Sequence, residues 1–463
     1  MVAAALLSVG VTTSPQAQAA NLTWSQTAVG TYNWTDLANW GGVESPNAVG
    51  DIANLSGALA GAQTVNLNAV ITIGELNFGA SAPSSLAGYT LAGGTNGLLI
   101  LDDSDGAVSI NKLNGSPSLE VISADIIFND ALTISNNSGG GTLTLGTMRS
   151  VASDVTLTGT GVVAAGSIVT GAISTAGSLI KEGVGVTQMA VNTTYAGTTW
   201  VKAGRLIANS GSSIPIRSAI TIDAGAVLES KQNAMTWGSI AGAGNVTIIS
   251  GTRNITIGRD DTSTSFSGTI TSTTPSGLSI TKIGAGTLTL APSGANASTY
   301  TGLTTVSGGK ITLDTSASSL TSGFLAATPL TIAGGDFEFK GRSGETITQT
   351  LGNFILNTTG GSIILTPNGG TSTQLTLGTL TFTAGTLLVQ APTANTSVRV
   401  TTTALTNNIY GAGRAVFSDG AGVVNWLSNN GGSSPFTLGG LGVGTAPAYT
   451  GALAADVIGA TTD

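Results

Sequence analysis

Only 8% of the 463 residues are charged, against about a quarter in an average globular domain, while 67 are glycine and 41% are hydrophobic, too much apolar surface for a disordered linker. The 23 acidic side chains against 15 basic ones leave a formal net charge of −8, and the bases are scattered, so no basic stripe is available to hold nucleic acid. The chain has neither cysteine nor histidine, which removes disulfides, thiolate metal sites, histidine-based hydrolase triads and zinc chemistry together.

Residues 1–20 open with an apolar run and end in the small-residue pattern Ala17-Gln18-Ala19, which predicts a signal peptide and a mature chain beginning near Ala20 or Asn21. One feature departs from that pattern: no Lys or Arg precedes Lys112, so the basic leader segment is missing. No later run approaches the roughly 18 to 20 apolar residues of a transmembrane helix, so no membrane-spanning segment is expected. Residues 21–60 contain Trp24, Trp34 and Trp40, three of the six tryptophans. They are expected to form an aromatic cap over the end of the first coil, whose edge would otherwise be open to aggregation. Exposed rings there would instead offer a surface for stacking a sugar.

From residue 61 to 463 the sequence alternates apolar and small polar residues in runs of four to eight, each closed by Gly, Asn, Asp or Ser. Period-two runs bounded by turn formers predict strands, and no helical period follows residue 20. The fold class expected is all-β. Short strands continuing over such a length suit a stacked β-solenoid better than a sandwich, because each coil buries its Val, Leu and Ile against its neighbours. Coils of about 20 residues would give about 20 turns and a rod on the order of 100 Å at the spacing of hydrogen-bonded strands.

The first group of acids, Asp102, Asp103 and Asp105, resembles a fragment of a calcium loop but lacks the bidentate Glu of an EF-hand; a turn accounts for it. Next come two copies of one pattern, at 179–208 and 279–314. Aligned on Lys181 and Lys282, both read Lys-x-Gly-x-Gly, a short strand, a polar loop, Tyr-x-Gly-x-Thr-x-Val (Tyr195 and Tyr300), then Gly, a base (Arg205 and Lys310) and an aliphatic residue. Gly183, Gly185, Gly284 and Gly286 are expected in turns closed to side chains. Val201, Leu206, Val306 and Ile311 are expected to point into the core, and the tyrosines to pack at corners. The remaining charges Glu182 and Lys202 do not recur, so the pattern reads as one type of coil rather than as a ligand site.

Arg259, Asp260 and Asp261 follow a strand and suit a solvated turn. In Asp336-Phe337-Glu338-Phe339-Lys340, alternation places the three charged residues on one face and both rings on the other. Two carboxylates on one face could form an acid and nucleophile pair, but a row of acid, acid and base is also what a solvated strand carries. Weak calcium binding by any of these acids stays open. Beyond Ser434 the sequence shows neither the amphipathic strands of a translocating barrel nor a hydrophobic sorting tail, so the chain is expected to be truncated there, to continue, or to use another export route.

The doubled pattern resembles the autotransporter-associated β-strand repeat of long secreted or surface-exposed passenger proteins. The resemblance implies a right-handed parallel β-helix displayed at the outer surface of a bacterium, acting as a non-enzymatic passenger, stalk, adhesin, or matrix or filament component. It implies no catalytic residue, cofactor or resident metal, and as partners surface glycans, host or neighbouring cell surfaces, or further copies of the chain. The alternative is a polysaccharide-binding or polysaccharide-degrading β-helix, since a fold does not fix a function.

Overall fold

The computed structural model describes residues 18–441, apart from 80–86, 114–118, 139, 161–167, 232–233, 250, 275–276, 358, 393, 402–404, 407–408, 423 and 430–433. The expected signal peptide and the C-terminal stretch beyond Leu441 therefore lie almost wholly outside the described residues. The described chain is all-β, a parallel solenoid in which each strand pairs in register with the strand one coil earlier and one coil later. A continuous ladder runs along one face, from Asn21–Thr23 through Ile52–Leu55 and Glu75–Phe78 to Ala415–Ser418. A second ladder runs from Gly30–Asn33 to Ile270–Ser272, and shorter ladders close the remaining side.

The alternation in the sequence becomes the wall of the rod. In strand after strand, such as Gln63–Leu67, Val155–Gly159 and Leu278–Lys282, every second residue is buried and the intervening one is partly exposed. The interior is one continuous core of Val, Leu, Ile and Phe, and each fully buried side chain of this kind contributes roughly 1.5–3 kcal/mol. Phe337 and Phe339 lie in it, in register with Ile311 and Leu313 on one side and Ile363 and Leu365 on the other. At the corners backbone stacks directly on backbone. Gly284 has φ 72°, and a Cβ there would come within 2.0 Å of the Gly258 carbonyl, so only glycine fits the turn.

Three features differ from the sequence expectation. Coils are mostly longer than about 20 residues: Leu179 pairs with Thr199, but Val155 pairs with Leu179, Lys310 with Asp336 and Glu75 with Ser109. The rod accordingly has fewer and wider turns than expected, because polar loops such as that before Tyr300 lie between strands. The aromatic segment is built into the solenoid, since its strands Asn21–Thr23 and Gly30–Asn33 are already in parallel register with those of the next coil. At the other end of the described chain, Val424–Asn429 and Phe436–Gly440 return antiparallel and pair with Ala415–Ser418 and Thr396–Val400. They occupy edges that would otherwise present unpaired backbone.

Candidate functional site

The doubled pattern folds as two consecutive coils clasped together. Leu179–Lys181 pairs with Thr199–Val201, and Val186–Met189 with Arg205–Ala208. In the second copy Leu278–Lys282 pairs with Thr304–Val306, and Thr287–Leu290 with Lys310–Asp314. The second clasp lies one face further round the rod, because Thr199–Val201 belongs to the long ladder whereas Thr304–Val306 belongs to a neighbouring one. Val201, Leu206, Val306 and Ile311 are buried, as expected.

Tyr195 and Tyr300 are fully buried, and their phenols do not meet solvent. Tyr195 shares a 2.6 Å hydrogen bond with the Thr199 hydroxyl, which lies 2.9 Å from the Ser218 hydroxyl of the following coil; Ser218 donates to the Gly197 carbonyl at 3.0 Å. The second copy repeats this path: Tyr300 to Thr304 at 3.1 Å, Thr304 to Thr328 at 3.1 Å, and Thr328 to the Gly302 carbonyl. Burial raises both phenol pKa values, that of Tyr300 to about 12, against the lowering effect of the threonine hydrogen bonds, so both stay neutral and able to donate.

Sequence reasoning missed the role of Lys181 and Lys282. Each side chain is only 1% exposed. The Lys181 ammonium donates to the carbonyls of Glu182, Gly183 and Ala203 at 2.5, 2.8 and 3.1 Å, and Lys282 does the same to Ile283, Gly284 and Gly308. Each lysine thus caps the turn of its own coil and reaches the turn of the next. Burial lowers both pKa values, Lys181 to about 8, while nearby carboxylates, Glu182 and Asp261 with Asp260, pull the other way. The signal was present in the alternation: Lys181 and Lys282 fall in the same phase as the inward Leu179 and Ile280.

The carboxylates considered for chemistry bond within their own turns or across to the neighbouring coil. Asp102 accepts from the Asn129 side chain at 2.7 Å, and Asp103 from the backbone of Asp105 at 2.7 Å. Asp260 accepts from Ser239 and Thr262, and Asp261 from the Ala285 backbone N–H. Arg259 is exposed and takes Arg217 on its carbonyl at 3.3 Å. Among the described residues no three acidic side chains gather where they could hold a metal ion.

The strand Asp336–Lys340 carries an interlocked row rather than a merely solvated one. Glu338 accepts from the Lys310 ammonium at 2.6 Å, Thr312 at 3.1 Å and Thr366 at 2.7 Å; Lys340 meets Asp314 at 2.8 Å, and Asp336 takes the Ser362 N–H and hydroxyl. Burial on its own would raise the Glu338 pKa, but Lys310, Thr366 and Thr312 outweigh it and hold it below the ordinary value. A general acid needs the opposite shift, so Glu338 is not poised to act as one.

The aromatic rings of the first coil are also inward. Trp24, Trp34 and Trp40 are at most 3% exposed. Trp40 stands edge-on to both others, with centroids 5.0 Å from Trp24 and 4.7 Å from Trp34. Their indole N–H groups are satisfied by Gln63, the Pro46 carbonyl and the Trp34 carbonyl at 2.7, 2.8 and 2.6 Å. Beside them the outer wall carries an amide ladder: Asn54 donates to Asn21, Asn77 to Asn54 and Asn111 to Asn77, and Ser135 donates to Asn111. Rings so enclosed cannot stack a sugar.

Comparison with known proteins agrees with this reading of the repeats. The family described as Passenger-associated-transport-repeat matches residues 179–208 and 280–313, the two clasped coils. The Adhesin BmaC autotransporter of Brucella suis biovar 1 (strain 1330) is 30% identical over 371 residues, covering 76% of this chain and 9% of that protein. The chain therefore spans less than a tenth of the length of the relative it matches. No solved structure matches. Among the described residues no helix is long and apolar enough to cross a membrane. The chain is a parallel β-solenoid in which two segments match the passenger-associated transport repeat.

Proposed function

We propose that this passenger-like solenoid is a non-enzymatic, cell-surface adhesive rod, led out of the cell by residues 1–20 and displayed outside a bacterium, with the aromatic first coil closing one end. The observation that carries the reading is the use made of polar side chains. Acids, amides and hydroxyls along the wall bond from coil to coil, as in Lys310–Glu338, Lys340–Asp314 and Asn111–Asn77, instead of converging on a cleft. Such a wall resists unfolding and presents a broad, weakly charged face. The likeness to an autotransporter adhesin supports contact with another surface as its task.

The test immobilises the purified chain on beads, counts adhering cells, and incubates the same chain with a polysaccharide panel with and without calcium. Adhesion without release of reducing ends or unsaturated sugars is the expected result. Release that disappears in Asp336→Ala or Glu338→Ala would overturn it in favour of a polysaccharide-degrading enzyme.

A further inference from the structure

The two clasps serve as an internal control, because one frame carries two different outer surfaces. Inside, the copies agree: Lys181 and Lys282, Tyr195 and Tyr300, Thr199 and Thr304, and Val201 and Val306 are buried. Outside they differ at many positions, and three of the differences lie together. Glu182, Trp200 and Lys202 of the first copy stand where the second has Ile283, Thr305 and Ser307. In the first copy these three touch: the Lys202 ammonium lies 4.4 Å from the Trp200 ring centroid and 2.7 Å from the Glu182 carboxylate. Since the second clasp closes with Thr305 at the tryptophan position, the frame does not require the ring.

Trp200 is 40% exposed, and every other aromatic side chain among the described residues is less so. It sits mid-strand on the outer face of the long ladder, in register with Ile180 and Thr221, and beyond them with Thr156 and Ala241. Thr156, Thr221 and Ala241 are short and Ile180 is only partly exposed, which leaves room for a flat ligand beside the indole. Ser178 and Thr198, hydrogen-bonded to each other across the coils, add exposed hydroxyls next to it.

We infer that Trp200, flanked by Lys202 and Glu182, is a stacking site for a pyranose ring of an uncharged glycan. The apolar face of such a ring suits an indole, whose π-system attracts the positive edges of C–H bonds. The ammonium supplies donors and the carboxylate acceptors for ring hydroxyls. The pair is neutral in sum and lies on a chain of net charge −8, so it does not select an anionic sugar or nucleic acid. A protein partner would require a wider apolar patch, whereas here the indole adjoins Ile180 on one side and Thr221, Thr198 and Ser178 around it.

This site deepens the adhesive reading and rests on it. The probes are neutral hexasaccharides of glucose, mannose, xylose and N-acetylglucosamine, titrated calorimetrically into the whole chain. At least one is expected to bind. Trp200→Thr, which installs what the second clasp already carries, is expected to weaken it at least tenfold with an unchanged melting temperature, and Glu182→Gln or Lys202→Met several-fold. Absence of binding by the wild-type chain, or binding undiminished in Trp200→Thr, overturns the site. Bead adhesion separates the two claims: adhesion that persists without sugar binding sinks the site alone, whereas Trp200-dependent sugar binding without adhesion upholds the site and sinks the adhesive role.

Discussion

The Tyr195 phenol lies 2.6 Å from the Thr199 hydroxyl, four residues on in sequence and at the start of the next coil's strand. Through Ser218 the path returns to the Gly197 carbonyl, so one phenol anchors a chain of hydroxyls that locks consecutive coils. Tyr195→Phe keeps the ring and removes one buried hydrogen bond, a loss of about 1–2 kcal/mol. Tyr195→Ala also empties the ring's site, for about 3–5 kcal/mol. Because coils interact chiefly with their neighbours, the loss is expected in native-state hydrogen exchange of Thr199–Val201 and Ala219–Ile222, with the second clasp unaffected. Equal loosening of Thr304–Val306 would contradict this local account.

Lys181 gives stability a pH dependence in the alkaline range. Its pKa in the folded chain is about 8, against 10.5 when unfolded. Below about 8 both states hold the proton; above it only the unfolded chain does, so stability rises with pH from 8 towards 10.5. One such group contributes up to about 1.4 kcal/mol per pH unit. Lys282 acts in the same direction. Tyr195 and Tyr300, whose pKa values are raised by burial, act oppositely above pH 10, where only the unfolded chain loses their protons. Melting temperature is therefore expected to climb between pH 8 and 10 and then fall, and Lys181→Met should flatten the climb. A monotonic decline from pH 8 in the wild-type chain would refute the assignment.

The period-two alternation was enough to identify the strands, the inward residues and the stacked architecture, because a coil's burial pattern is written locally. Register is not. Nothing near Glu338 in sequence announces Lys310, Thr312 or Thr366, its partners from the coils on either side, so the row read as solvated when it is interlocked. Lys181 was legible in phase but not in kind, since a lysine in a strand suggests solvent until three turn carbonyls converge on it. Strand direction is equally silent: nothing within Val424–Asn429 announces that it returns antiparallel. Trp200 differed from its counterpart in the aligned copies, but its exposure came only with the structure.

Glu338 should reveal the interlocked row in acid. Its pKa and that of Asp314 are held below their ordinary values, Lys310 and Lys340 with neighbouring hydroxyls outweighing burial. Their contribution is therefore present above the unfolded carboxylate range near pH 4 and is lost as pH falls through the lower folded values. Glu338→Gln leaves Lys310 without its carboxylate and is expected to cost about 1–2 kcal/mol at pH 7, measured by urea unfolding. The deficit should shrink below pH 4, where the wild-type side chain also becomes neutral. A deficit independent of pH would mean that packing rather than charge had been lost.

Trp34 tests whether the first coil is held by its aromatic interior. The ring is fully buried, its N–H reaches the Pro46 carbonyl, and its own carbonyl receives the Trp40 N–H. Truncation to alanine removes a ring that both neighbouring backbone and Trp40 pack upon, at about 3–5 kcal/mol. A solenoid distributes that loss locally, so Trp34→Ala is expected to expose 21–60 to limited proteolysis while the coils from Glu75–Phe78 onward resist. The edge uncovered at Glu75–Phe78 would then be free to pair with another chain, which light scattering would register as concentration-dependent association. Proteolysis spread along the whole rod would show instead that the first coil supports every coil behind it, and cleavage unchanged from wild type would show that it is held by its backbone ladder alone.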